Sequence, residues 1–85
     1  MSTPAAVSVI EILGPGCARC HETERVVRHV VEQAGLQCLV QKNATVDRMV
    51  DLGVLRTPAV AFDGRVVHQG SIPKSDDVKR LLGLA

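Results

Sequence analysis

The chain has 85 residues, enough for one hydrophobic core and too few for two. Hydrophobic residues make up 46% of it and charged residues 22%, the balance of a folded globular domain and far from that of a disordered segment. Ten basic and nine acidic side chains leave a formal charge of +1 with no long run of one sign, so nothing calls for nucleic acid or an anionic membrane. Base stacking also needs aromatic rings, and Phe62 is the only one.

No apolar stretch approaches the ~20 residues of a spanning helix, and a soluble protein is expected. Met1 to Ala6 lack the basic and then apolar pattern of an export signal. They read as a short flexible N-terminus ahead of a single domain over residues 7–85. Three cysteines cannot all pair within one chain, and two of them lie three apart. Without a secretion signal this points to redox or metal chemistry in a reducing, cytoplasmic compartment.

Taken in chain order, Val7 to Leu13 is β-branched and apolar throughout, as a strand buried on both faces should be. Gly14-Pro15-Gly16 breaks the chain just before Cys17. From Ala18 to Ala34, Val26, Val27, Val30, Val31 and Ala34 recur at helical spacing with charged residues between them, and Gly35 is placed to cap the end. Glu22 and Glu24 suit the positive end of the helix dipole. Leu36 to Gln41 is the next strand, with Cys38 as a small core residue in it.

Asn43 or Thr45 caps a short helix that runs through Leu52, with Val46, Met49 and Val50 as its buried stripe and Gly53 as its stop. Ala59 to Phe62 and Arg65 to His68 flank Asp63-Gly64, the strongest two-residue hairpin signal. A last helix runs from about Ser75 to Leu82, with Asp76 and Asp77 in its first turn and Val78, Leu81 and Leu82 on one face. The order is βαβαββα. It predicts an α/β domain of three layers, with a four-stranded mixed sheet and three helices.

The chemistry concentrates at Cys17-Ala18-Arg19-Cys20. Residues three apart at a helix start share a face, with Cβ atoms roughly 5–6 Å apart, and a disulfide requires Cα atoms about 4.4–6.8 Å apart. Unpaired N–H groups at the helix start favour a thiolate on Cys17, and Arg19 is a candidate for further support of that anion. Cys17 then attacks a substrate disulfide and Cys20 resolves the mixed disulfide. The redox group is the Cys17–Cys20 disulfide itself, and no added cofactor or metal is expected.

A first strand, Gly14-Pro15-Gly16-Cys17-Ala18-Arg19-Cys20, a long helix, and Gly53-Val54-Leu55-Arg56-Thr57-Pro58-Ala59-Val60 before a hairpin together resemble a thioredoxin-fold protein. The similarity runs from about Val7 to Leu82, and the nearest pattern is the small glutaredoxin-like, redox-active disulfide branch of the superfamily. The resemblance implies a thioredoxin-like domain over 7–85 that acts as a thiol–disulfide oxidoreductase. It also implies a cis Pro58, with Thr57 and Pro58 forming the wall on which substrate docks. The implied partners are disulfide-containing proteins and a reductase or small-thiol electron donor, and the implied state is a monomer. The Trp-Cys-Gly-Pro-Cys signature of typical thioredoxins and the paired glycines of glutaredoxins are absent.

Two rival readings use the same cysteines. His21 completes the CxxCH pattern of covalent c-type haem attachment, but export and an aromatic haem pocket are both missing, and His21 otherwise reads as a solvated helix residue. A CxxC at a strand-to-helix turn also suits a soft-metal carrier for copper or zinc. Such domains follow a βαββαβ order, and this chain ends in a helix. His29 and His68 read as surface residues without a metal-ligand spacing.

Overall fold

A computed structural model describes residues 7–16 and 18–84; the expected flexible segment 1–6 and Cys17 lie outside the described residues. The elements are β1 (Val9–Leu13), α1 (Ala18–Ala34), β2 (Leu39–Asn43), α2 (Val46–Leu52), β3 (Ala59–Phe62), β4 (Arg65–Gln69) and α3 (Ser75–Leu81). This is the expected βαβαββα order. The sheet runs β2-β1-β3-β4. The β1–β2 pair is parallel through the α1 crossover, and the β1–β3 and β3–β4 pairs are antiparallel.

The apolar run of β1 makes it a central strand. Its alternation sends Ile10 and Ile12 to one face and Glu11 and Leu13 to the other. On the first face Ile10 and Ile12 meet Val27, Val30 and Val31 of α1, Val60 and Phe62 of β3, and Val78 and Leu82 at α3. On the second, Leu13, Ala59 and Ala61 carry Met49 and Leu52 of α2 together with Val54 and Val66. The sheet is therefore the middle of three layers, with α1 and α3 on one side and α2 on the other.

Turn chemistry behaves as the residue types require. Asp63 (φ 50°) and Gly64 (φ 84°) both take positive φ in the β3–β4 turn, the geometry of a type I′ hairpin. The Asp63 carboxylate also accepts from the Ser8 and Val9 N–H groups, tying the hairpin to the start of β1. Gly53 closes α2 in the left-handed region, with its own N–H on the Val50 carbonyl and the Val54 N–H on Met49.

Several expectations need correction. The second strand starts at Leu39 and not Leu36; the Leu36 N–H still closes the end of α1 on the Val31 carbonyl. Cys38 thus precedes the strand, half-buried. Ala34 is exposed, and the core face of α1 is extended instead by Cys20 and Thr23. Glu22 and Glu24 lie beyond the first turn and bind Arg25 and Arg28 one turn on. Val46 and Val50 of α2 are about 70% exposed (70% and 71%), while Leu81 of α3 is also exposed. In α2 Met49 packs on the sheet as expected, but its companions there are Arg48 and Leu52 in place of Val46 and Val50.

Candidate functional site

Cys20, two residues into α1, points into the protein and is 2% exposed. It lies beneath the end of β1. A Cβ built on Gly14 would collide with the Cys20 Sγ and would stand 3.7 Å from the Thr57 Cβ. The sulfur therefore packs on the bare Gly14 main chain, with Thr57 beside it. Gly14 is held in place by its N–H, which donates to the Asn43 carbonyl at 3.2 Å. Sequence reasoning assigns Gly14 only to a turn, yet its role here is to leave room for a sulfur. A glycine before a CxxC motif was the available signal.

The Thr57–Pro58 peptide bond is cis, and Pro58 is buried at the start of β3. The Pro58 carbonyl accepts from the Gly70 N–H at 3.0 Å, which prolongs the β3–β4 ladder. Just upstream, the Gln69 Oε1 accepts from the Leu55 and Arg56 N–H groups at 2.8 and 3.1 Å. These contacts anchor the segment on either side of Thr57. Among the described residues, no hydrogen bond engages the Thr57 main chain.

Arg19 is exposed, and its Nη2 donates to the Gly70 carbonyl at 3.2 Å. The Arg56 side chain packs over the same glycine, its Cδ 3.1 Å from where a Gly70 Cβ would stand. The structure thus brings Cys20, Thr57, Pro58 and Arg19 to one end of the sheet. The remaining predicted site residue, Cys17, lies outside the described residues.

On the α2 face the Glu11 carboxylate is 5% exposed and is gripped by Arg48, Nε to Oε2 at 2.9 Å and Nη2 to Oε1 at 2.6 Å. The hydrogen bond from Arg48 holds the Glu11 carboxyl below the usual carboxylate range, against the opposing effect of burial. Cys38 sits at the other end of the sheet, near the start of β1, where its Sγ bonds the Val7 carbonyl at 3.2 Å. Burial, and then the Asp63 charge, push its thiol up, which suits a packing residue and not a nucleophile. Among the described residues no three His, Cys, Asp or Glu side chains gather to hold a metal ion. No helix there is long and apolar enough to cross a membrane.

Residues 8–83 match the sequence profile of the thioredoxin domain family. The chain belongs to that family. A thioredoxin of Methanocaldococcus jannaschii is 36% identical over 74 residues, which cover 87% of this chain and 85% of the relative. A thioredoxin of Methanothermobacter thermautotrophicus is 29% identical over 73 residues, covering 86% and 95% respectively. The protein is a thioredoxin-like redox protein. Its parallel β1–β2 pair, with β1 central, and its antiparallel β3–β4 hairpin are those of a thioredoxin-like fold.

Proposed function

We propose that this protein is a thiol–disulfide oxidoreductase whose working group is the Cys17–Cys20 dithiol. The observation that carries the reading is the seat of Cys20: a buried sulfur against Gly14, next to Thr57 and the cis proline. A buried second cysteine suits the resolving role, since it is shielded from outside disulfides. In the reductive direction the Cys17 thiolate attacks one sulfur of a substrate disulfide. A Cys17–substrate bond forms and the first substrate thiolate leaves, taking up a proton. Cys20, as thiolate, then attacks the Cys17 sulfur, and the second substrate thiol is released. The substrate gains two electrons and the protein ends as the Cys17–Cys20 disulfide.

A reductase or small thiol returns the electrons, and the direction follows from the potential of the couple against that donor. The partners on this reading are disulfide-bearing proteins, and the setting is the reducing cytoplasm. Thr57 offers its main chain to an extended substrate segment. The α1 N-terminus favours the Cys17 thiolate by about 0.3–1 kcal/mol, and Arg19 adds a positive charge nearby. In an insulin-reduction assay Cys17→Ser abolishes turnover, and Cys20→Ser accumulates a covalent mixed disulfide with substrate. Full activity in both variants overturns the assignment. Tight stoichiometric zinc or copper(I) binding without any disulfide reduction identifies a metal carrier instead.

A further inference from the structure

Charge at the candidate site is one-sided. The segments 14–16, 18–19, 53–58 and 69–73, parts of which meet around Cys20, Thr57 and Gly70, contain Arg19 and Arg56 and no Asp or Glu. All nine carboxylates of the chain lie elsewhere. The arginines divide in the same way: Arg25, Arg28, Arg48 and Arg80 are each paired with a carboxylate. Among the described residues Arg19, Arg56 and Arg65 have no such partner, and two of these three touch Gly70 beside the site. The chain as a whole is almost neutral, so this local excess is not a by-product of net charge.

Both arginine side chains are also anchored, Arg19 through its guanidinium and Arg56 through its aliphatic stem. Arg19 is tethered by one of its five donors to the Gly70 carbonyl, and Arg56 lies against Gly70 while Gln69 holds its main chain. A guanidinium held by its stem loses less freedom when it meets a carboxylate, and its fork binds that group with two parallel hydrogen bonds. Arg56 immediately precedes Thr57, whose main chain takes no partner among the described residues. An extended segment paired there would run beside Arg56 and close to Arg19, since both side chains meet at Gly70.

From these contacts we infer that the site selects protein substrates whose reactive cystine is flanked by acidic residues, with Arg19 and Arg56 receiving the carboxylates. This rests on the oxidoreductase reading above. The test compares single-turnover reduction, by the reduced full-length protein, of three disulfide-linked peptides that differ only in the residues beside cystine: Asp/Glu, Ser/Gln or Lys. At about 0.01 M salt the acidic peptide reacts about five- to tenfold faster than the basic one, and near 1 M salt, where the Debye length is ~3 Å, the gap closes.

Arg56→Glu reverses or abolishes the order. Arg19→Gln shrinks the ratio; because the ratio compares two substrates of one enzyme, any change in thiolate reactivity cancels. Equal rates within about twofold at low salt overturn the inference, as does an order unchanged in the Arg19→Gln/Arg56→Glu double variant. Oxidised glutathione reduced faster than the acidic peptide would move the carboxylate site from protein substrates to small thiols and overturn it too. If no peptide is reduced, the oxidoreductase reading itself falls, whereas charge-blind reduction removes only the selectivity.

Discussion

Gly14 shows how one missing atom can build a site. Its φ lies outside the left-handed region, so conformational freedom does not explain it; the occupied space does, because the Cys20 sulfur fills the volume a Cβ would take. Gly14→Ala forces either the sulfur or the β1 end to move, an overpacking that costs about 1–3 kcal/mol. The expected outcome is a folded protein with altered Cys20 reactivity and slowed mixed-disulfide resolution, read by the lifetime of the trapped adduct. Cys38 provides the contrast. Its raised pKa and its bond to the Val7 carbonyl predict slow alkylation at neutral pH, which labelling of a Cys17→Ser/Cys20→Ser variant measures.

At the scale of an element, α2 has the weakest apolar hold on the sheet. None of its seven residues is fully buried, and its contribution to the small cluster is Met49 and Leu52. The bidentate Arg48–Glu11 contact therefore matters for docking as well as for satisfying a buried carboxylate. Arg48→Met leaves Glu11 buried and charged without its partner, a change that penalises the folded state. The expected result is a lower urea midpoint, with Glu11→Gln in the same background recovering part of the loss. The other layer is apolar and tighter: Ile12, 1% exposed between α1 and the sheet, should cost about 2–5 kcal/mol when cut to Ala.

For the whole molecule, acid stability follows from carboxylates that are better satisfied folded than unfolded. Glu11 is lowered chiefly by the Arg48 hydrogen bond, and Asp77 chiefly by the Lys74 main-chain N–H at the start of α3. A depressed folded value means that the stabilisation is complete above the unfolded carboxylate values, about 3.9–4.3, and disappears as pH falls through the folded ones. Urea midpoints should accordingly stay level from neutrality to about pH 5 and drop below about pH 4. Glu11→Gln should flatten that acid limb. A midpoint that climbs on acidification would contradict the sign.

Much of this protein is legible in its sequence because the deciding signals are local. The β-branched run of β1, the helical spacing from Ala18 to Ala34, Asp63-Gly64 and the αL glycines Gly35 and Gly53 that end α1 and α2 each act within a few residues, and the element order follows from them. Thr57-Pro58 and the cysteine pair likewise mark the site through residue type. The stripe of α2 was legible only at Met49: in a seven-residue helix Val46 and Val50 compete with Leu52, and the buried Glu11 of β1 decides by drawing Arg48 inward. Nor could sequence spacing show that Gly14 lies against Cys20, or that Arg19 and Arg56 converge on Gly70 from 51 and 14 residues away. By itself the sequence determined the elements, their order and the reactive residue types, because propensity, turn geometry and hydrophobic period are short-range. Only the tertiary structure decided which helix face is buried and which charges are left unneutralised around the site, because packing and Coulomb interactions depend on distance in space and not along the chain.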